Sequence, residues 1–216
     1  MLANKKQMEA FVANFRHGTR LTYKKGEYIL RPGEAPTGVF YIESGIVKAY
    51  DITKYGEENL LIIRKENEIF PLIWGVTGQE RHVIYQTLTP TVVWRISQKA
   101  FLEYIKNPVN ALSPLLDLTM EMYRIHSERI MNLEYRTVRE RLISFIITMG
   151  QRFGKVTPSG NIKVDLPLRQ QDIASSINAS RETTSRELSL LEKRGLIKTN
   201  PQYVIIKDEE KLKSYL

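Results

Sequence analysis

Apolar residues in the first fifteen positions fall at Met8, Phe11, Val12 and Phe15. Those steps of one, three and four predict an amphipathic helix over 5–15. From about Thr19 to Ser97 the pattern changes. Short runs rich in β-branched and aromatic residues occupy 28–30, 39–42, 46–50, 60–63, 83–85 and 92–94. Turn formers separate several of them: Arg31-Pro32-Gly33, Ser44-Gly45, Tyr55-Gly56 and Thr89-Pro90. Short strands with punctuation at this spacing predict an antiparallel sandwich or jelly roll.

Helical periodicity returns at 98–105, before Pro108, and then over about 115–135. Two apolar stripes run along the longer stretch. One contains Leu112, Leu116, Thr119, Tyr123, His126, Ile130 and Leu133; the other contains Leu115, Leu118, Met122 and Ile125. One stripe can pack on the sandwich while the other meets a second copy of the helix. A further amphipathic helix is predicted over 138–152, through Leu142, Phe145, Ile146 and Met149, ending at Gly154. A turn at Thr157-Pro158-Ser159-Gly160 leads into an alternating, strand-like 162–166. The expected class is α+β in three parts: an effector-sensing jelly roll over 1–110, a dimerisation helix over 111–137, and a winged helix-turn-helix over 138–216.

Composition narrows the function. At 216 residues, 42% hydrophobic and 26% charged, the chain fits two ordinary globular cores. Its formal charge is +8, and 14 basic residues against 9 acidic ones lie from Val138 onward. The C-terminal part is therefore denser in positive charge, which suits a phosphate-bearing partner. The absence of cysteine excludes disulfides, thiolate nucleophiles and cysteine-ligated iron–sulfur clusters or zinc fingers. No signal peptide or membrane span is apparent, so a cytoplasmic protein without membrane contact is expected. A cupin-like metalloenzyme would need clustered ligands, yet His17, His82 and His126 are widely spaced. No Gly-rich phosphate loop or nucleophile motif occurs either. An enzyme is not expected, and neither is a metal.

The most informative stretch is 168–196, LRQQDIASSINASRETTSRELSLLEKRGL. It divides into a helix over 169–177 that buries Ile173, Ala174 and Ile177, a turn at Asn178, and a second helix capped by Ser180. A helix-turn-helix needs a residue that tolerates a left-handed backbone at its turn, and Asn is second only to Gly. Thr184, Leu188 and Leu191 form the inward face of the second helix. Arg181, Glu182, Ser185 and Arg186 lie outward, at the end that enters the major groove in proteins of this type. Arg can bond bidentately to guanine, and Glu can accept from cytosine. Ser180 and Thr183 at the helix start, with Arg169 and Gln170 on the preceding helix, are candidate phosphate contacts. Gly195 ends the helix, and 196–198 with 203–206 form a wing hairpin around Asn200-Pro201.

Ser180-Arg181-Glu182-Thr183-Thr184-Ser185-Arg186 closely resembles the recognition-helix motif of the cyclic-AMP receptor / fumarate-nitrate reduction regulator family. The resemblance covers almost the whole chain. Gly26-x-x-Ile29-x-x-x-Gly33-Glu34 and Tyr41-Ile42-x-x-Gly45-x-Val47 are similar to the family's effector-domain strands. Ser127-Glu128-Arg129-Ile130-x-Asn132-Leu133 is similar to its dimerisation helix. The resemblance implies a homodimeric transcription regulator on a palindromic operator, with RNA polymerase as a further partner. Arg181, Glu182 and Arg186 match base readers of a TGTGA-like half-site. Ser185 departs toward members that read TTGAT.

In relatives that bind cyclic AMP, the resemblance implies a cassette of the form Phe-Gly-Glu-Leu followed by Arg-Ser. Here the matching residues are Phe70-Pro71-Leu72-Ile73 and Glu80-Arg81-His82. Pro71 has no N–H to donate, Leu72 has no carboxylate for the ribose, and His82 replaces Ser. Each lost hydrogen bond to a charged group costs about 1–3 kcal/mol, so an effector other than cyclic AMP is expected. The candidate effector pocket comprises Phe70, Pro71, Leu72, Ile73, Arg81, His82, Tyr123 and His126. No cofactor is fixed by the sequence. A small organic effector, a haem on a histidine, and constitutive binding all stay open.

Overall fold

A computed structural model describes residues 2–200 and 202–216, with the backbone alone for 108–110. The turn expected at Pro201 lies outside the described residues. The contacts divide the chain into two compact units, residues 1–51 with 61–126, and residues 52–60 with 127–216.

The first unit opens with α1 (Lys5–Arg16), started by a capping box in which Asn4 and Gln7 each bond the other's backbone N–H. Two four-stranded sheets follow. One has the order β1 (Thr19–Tyr23), β8 (Thr91–Ile96), β3 (Val39–Ser44), β6 (Ile69–Phe70). The other has the order β2 (Tyr28–Leu30), β7 (Ile84–Thr87), β4 (Val47–Ile52), β5 (Glu58–Arg64). The registered pairings are antiparallel, such as Leu21 opposite Val93 and Ala49 opposite Tyr85. This is the expected β jelly roll. Gly45 turns the chain between β3 and β4 at φ +98; a Cβ there would lie 2.4 Å from Thr91 Oγ1. Between β6 and β7 the chain forms α2 (Leu72–Thr77), a helix that periodicity over so few residues does not announce.

Two buried clusters fill this unit. Ile42, Val47, Ala49, Ile62, Phe70, Tyr85, Val93 and Ile125 form one, with Met122 packed on it. Phe11, Phe15, Val39, Tyr41, Ile69, Ile96 and Phe101 form the other. Phe101 comes from α3 (Gln98–Ile105), which Ser97 caps by accepting from the Ala100 N–H. Next comes α4 (Pro108–Tyr135), which begins earlier than the stripes predict and runs through Pro114. Pro114 removes one N–H early in a 28-residue helix, a loss that the remaining ladder tolerates. Its stripe through Leu115, Leu118, Met122 and Ile125 is the one packed on the clusters. The Asp117 carboxylate accepts the backbone N–H groups of Ala3 and Leu2 at 2.9 and 2.8 Å, and these bonds hold it below its ordinary pKa.

In the second unit α5 (Val138–Phe153) starts at a Thr137–Glu140 capping box. It packs on a sheet ordered β11 (Ile197–Asn200), β12 (Tyr203–Ile206), β10 (Ile162–Val164), β9 (Gly154–Val156). Gly150 allows a close approach there, since a Cβ would lie 2.6 Å from Ile206 Cδ1. The remaining helices are α6 (Gln170–Ser176), α7 (Arg181–Lys193) and α8 (Glu209–Lys213). Leu142, Ile143, Ile173, Ala174, Ile177, Leu188, Leu191, Leu196 and Ile206 are buried.

Candidate nucleic-acid interface

The α6–turn–α7 unit is built by local chemistry. The Asp172 carboxylate accepts the Arg169 backbone N–H at 2.9 Å and so starts α6. Asn178 adopts φ +50, the left-handed conformation expected of the turn. Ser180 Oγ accepts from the Thr183 N–H at 3.1 Å and donates to Thr183 Oγ1 at 3.0 Å, which fixes the start of α7. Thr184 is fully buried and donates to the Ser180 carbonyl at 2.9 Å. With Leu188 and Leu191 it forms the inward face.

The charges of α7 divide by face. Glu187 is buried and accepts from Arg139 Nε at 2.7 Å; that pairing raises the Arg139 pKa. Glu192 accepts from the backbone N–H and hydroxyl of Thr199, tying α7 to the wing strand β11. Arg181, Glu182 and Arg186 are exposed, with Ser185 half-buried beside them. Among the described residues the fold places none of these three charges in an ion pair. Exposed helical Arg and Glu ordinarily bridge to neighbours; here the bridges lie on the packed face and the outward charges are left for a partner.

Arg169 and Gln170 sit exposed at the start of α6. Arg169 donates from Nε and Nη2 to Asp172 at 3.1 and 2.9 Å, and from Nη2 to Glu58. The bond to Asp172 leads in raising its pKa. Its Nη1 has no partner among the described residues. Ser175 Oγ accepts from the Leu60 N–H at 3.2 Å, and Arg129 donates to Asn59 Oδ1 and the Ser176 carbonyl. Residues 58–60 are thus bonded to α6.

The expected effector residues are dispersed. Phe70 is fully buried, stacked between Phe40 and Tyr85 with centroids 5.3 and 4.4 Å away. Pro71, after a cis peptide bond, precedes α2, where Leu72 is half-buried and Ile73 exposed. Arg81 and His82 are exposed and line a cleft of about 40 Å³ with Arg31, Gly33, Glu34 and Pro36. A small-molecule site takes roughly 300–1,000 Å³. Tyr123 and His126 are exposed on α4. Among the described residues, no group of three or more His, Cys, Asp and Glu side chains could hold a metal ion. A functional candidate that sequence reading missed is Arg64, treated below.

Residues 20–107 match the cyclic nucleotide-binding domain family, and residues 140–215 match the Crp-like helix-turn-helix domain family. The chain belongs to the cyclic-AMP receptor / fumarate-nitrate reduction regulator family. It is a DNA-binding transcription regulator. A global nitrogen regulator of Synechocystis sp. is 29% identical over 192 residues, covering 86% of this chain and 83% of the relative. A CRP-like cAMP-activated global transcriptional regulator of Mycobacterium tuberculosis is 26% identical over 190 residues, covering 88% and 84%. FixK2 from Bradyrhizobium japonicum shares the fold at a TM-score of 0.78 and 20% identity, covering 91% of this chain and 96% of that one. Family membership places α7 as the recognition helix, and among the described residues no helix is long and apolar enough to cross a membrane.

Proposed function

We propose that this regulator acts as a homodimer on a palindromic operator with a TGTGA-like half-site, under control of an effector other than cyclic AMP or an iron–sulfur cluster. The carrying observation is the exposed, unbridged trio Arg181, Glu182 and Arg186 on one end of α7. Arg181 and Arg186 offer bidentate donors for guanine, and Glu182 an acceptor for cytosine N4. Ser185 takes part at the same edge. Arg169, Gln170, Ser180 and Thr183 contact phosphate and set the register. The working division is a jelly roll over 1–110, a dimerisation helix over 111–137 and a DNA-binding domain over 138–216. RNA polymerase is the downstream partner, in the cytoplasm, and no chemical step is catalysed.

The effector reading draws on the site around Phe70, Pro71, Leu72, Ile73, Arg81, His82, Tyr123 and His126. Pro71 and Leu72 supply neither the N–H nor the carboxylate that a cyclic nucleotide needs. Binding of an effector at the jelly roll favours one arrangement of the paired helices and so sets whether two recognition helices meet successive major grooves about 34 Å apart.

The test is binding of the purified chain to a TGTGA-N6-TCACA duplex at fixed salt, with and without cyclic AMP. Binding that cyclic AMP leaves unchanged, and that a scrambled duplex loses, supports the reading. Binding that requires cyclic AMP overturns its effector half. Equal affinity for the scrambled duplex overturns the half-site.

A further inference from the structure

Strand β5 alternates its side chains between faces. Ile62 faces the buried cluster of Phe70, Tyr85, Ile125 and Met122, and Arg64, two residues on, shares that face. Arg64 is accordingly 8% exposed, a cation inside an otherwise apolar interior. Its printed contacts are weak for a buried guanidinium. Nη1 lies 3.5 Å from Glu68 Oε2 and 3.1 Å from the sulfur of Met122, itself a poor acceptor. Nε is buried with no hydrogen-bond partner. A guanidinium carries five N–H donors, and a buried donor left unmade is destabilising. Glu68 is also buried, at 5%, and makes interactions beyond this pair.

We propose that Arg64 is the anchor of an anion-binding effector site inside the jelly roll, between β5, β7 and α4, where it receives the carboxylate or phosphate group of a small metabolite. The proposal rests on the reading of this chain as an effector-controlled regulator and gives that effector a chemical class. Two further observations fit. Burial of the Tyr85 phenol raises its pKa, while the nearby charges of Arg64 and then Arg81 both pull it down, so two arginines bracket one phenol. Arg81 lines the small cleft at the surface of the same unit, beside His82. An anion bonding Nε and Nη1 in the bidentate manner of Arg–carboxylate pairs would replace the Met122 sulfur as the Nη1 partner. Met122 lies on α4, so the exchange acts on the helix that carries the exposed apolar stripe.

The experiment uses the full chain and three probes: succinate, inorganic phosphate and cyclic AMP, each titrated at constant ionic strength with chloride as control. The readout is the melting temperature of the parent, Arg64→Met and Arg64→Lys. At about tenfold excess over Kd, at least one probe raises the parent Tm by roughly 3–6 °C. Arg64→Met, which keeps volume and removes charge, loses that response, with Kd weakened at least about tenfold; Arg64→Lys keeps part of it. The probe that works separates a carboxylate from a phosphate ligand. An unresponsive parent, or equal shifts in the parent and Arg64→Met, overturns the proposal and leaves Arg64 as the structural partner of Glu68. The melting readout needs no DNA. Operator binding by Arg64→Met without probe, measured alongside, distinguishes failure of this site from failure of the DNA reading.

Discussion

Single side chains decide which charges on α7 are available to DNA. Glu187 and Glu192 are held by Arg139 and Thr199, whereas Arg181, Glu182 and Arg186 project without ion pairs. Replacing Arg186 with Ala should therefore leave melting unchanged. It should cost about 1–3 kcal/mol of operator binding and relax preference at one base pair, read by competition among single-substitution duplexes. Arg169 differs in kind. Asp172 and Glu58 occupy its Nε and Nη2, which leaves Nη1 for a phosphate oxygen. Arg169→Ala should weaken all duplexes alike and flatten the dependence of log K on log salt by about 0.9, measured by titration at several salt concentrations. These outward residues were legible in the sequence because a 3.6-residue period with an Asn turn and a Ser cap fixes which side chains face out. Arg64 was not. A strand reading that stops at Ile63 misses the next inward position, and a charged residue there contradicts the expectation that inward means apolar.

Elements are held by their ends as much as by their faces. α5 begins where Glu140 accepts the Thr137 N–H at 2.7 Å while Thr137 Oγ1 accepts the Glu140 N–H at 3.4 Å. The Thr137 backbone bond, then its hydroxyl, holds the Glu140 carboxyl below its ordinary value of 4.5. A carboxyl lowered on folding adds stability above its unfolded pKa and loses it as pH falls through the folded value. Thermal melts of the parent and Glu140→Gln should therefore converge as pH drops below the ordinary carboxylate range. At neutral pH, Thr137→Ala should destabilise by about 0.5–2 kcal/mol in urea titration. Elements with long periodic signatures, α1, α5 and α7, were legible to within a residue or two. The six-residue α2 and the two-residue β6 were not, because so few positions define no period. The start of α4 was missed because proline ordinarily argues against helix, and one lost N–H near the beginning of 28 residues is a minor cost.

At the scale of the molecule, the two stripes of α4 have different fates. Leu115, Leu118, Met122 and Ile125 pack on the buried clusters. Leu112, Tyr123 and Ile130 are 57%, 68% and 57% exposed, and Leu116 and Leu133 are exposed as well. An apolar row of this length facing water marks an association surface, and the family to which the chain belongs, together with the palindromic operator proposed above, favours a second copy as its cover. The parent should sediment at about twice its 25.1 kDa chain mass. The double substitution Leu116→Glu, Ile130→Glu places like charges along that row without touching either packed cluster. It should sediment as a monomer while α7 and its cap remain intact, visible as unchanged helical circular dichroism. Because one monomer engages one half-site, affinity for the full palindrome should fall by about 10²–10⁴ through lost effective concentration, while affinity for an isolated half-site stays within about twofold. A variant that stays dimeric would place the seam elsewhere on the chain. A monomeric variant that kept full palindrome affinity would show that the two recognition helices are not coupled through α4, and the effector would then have to act on each DNA-binding domain separately.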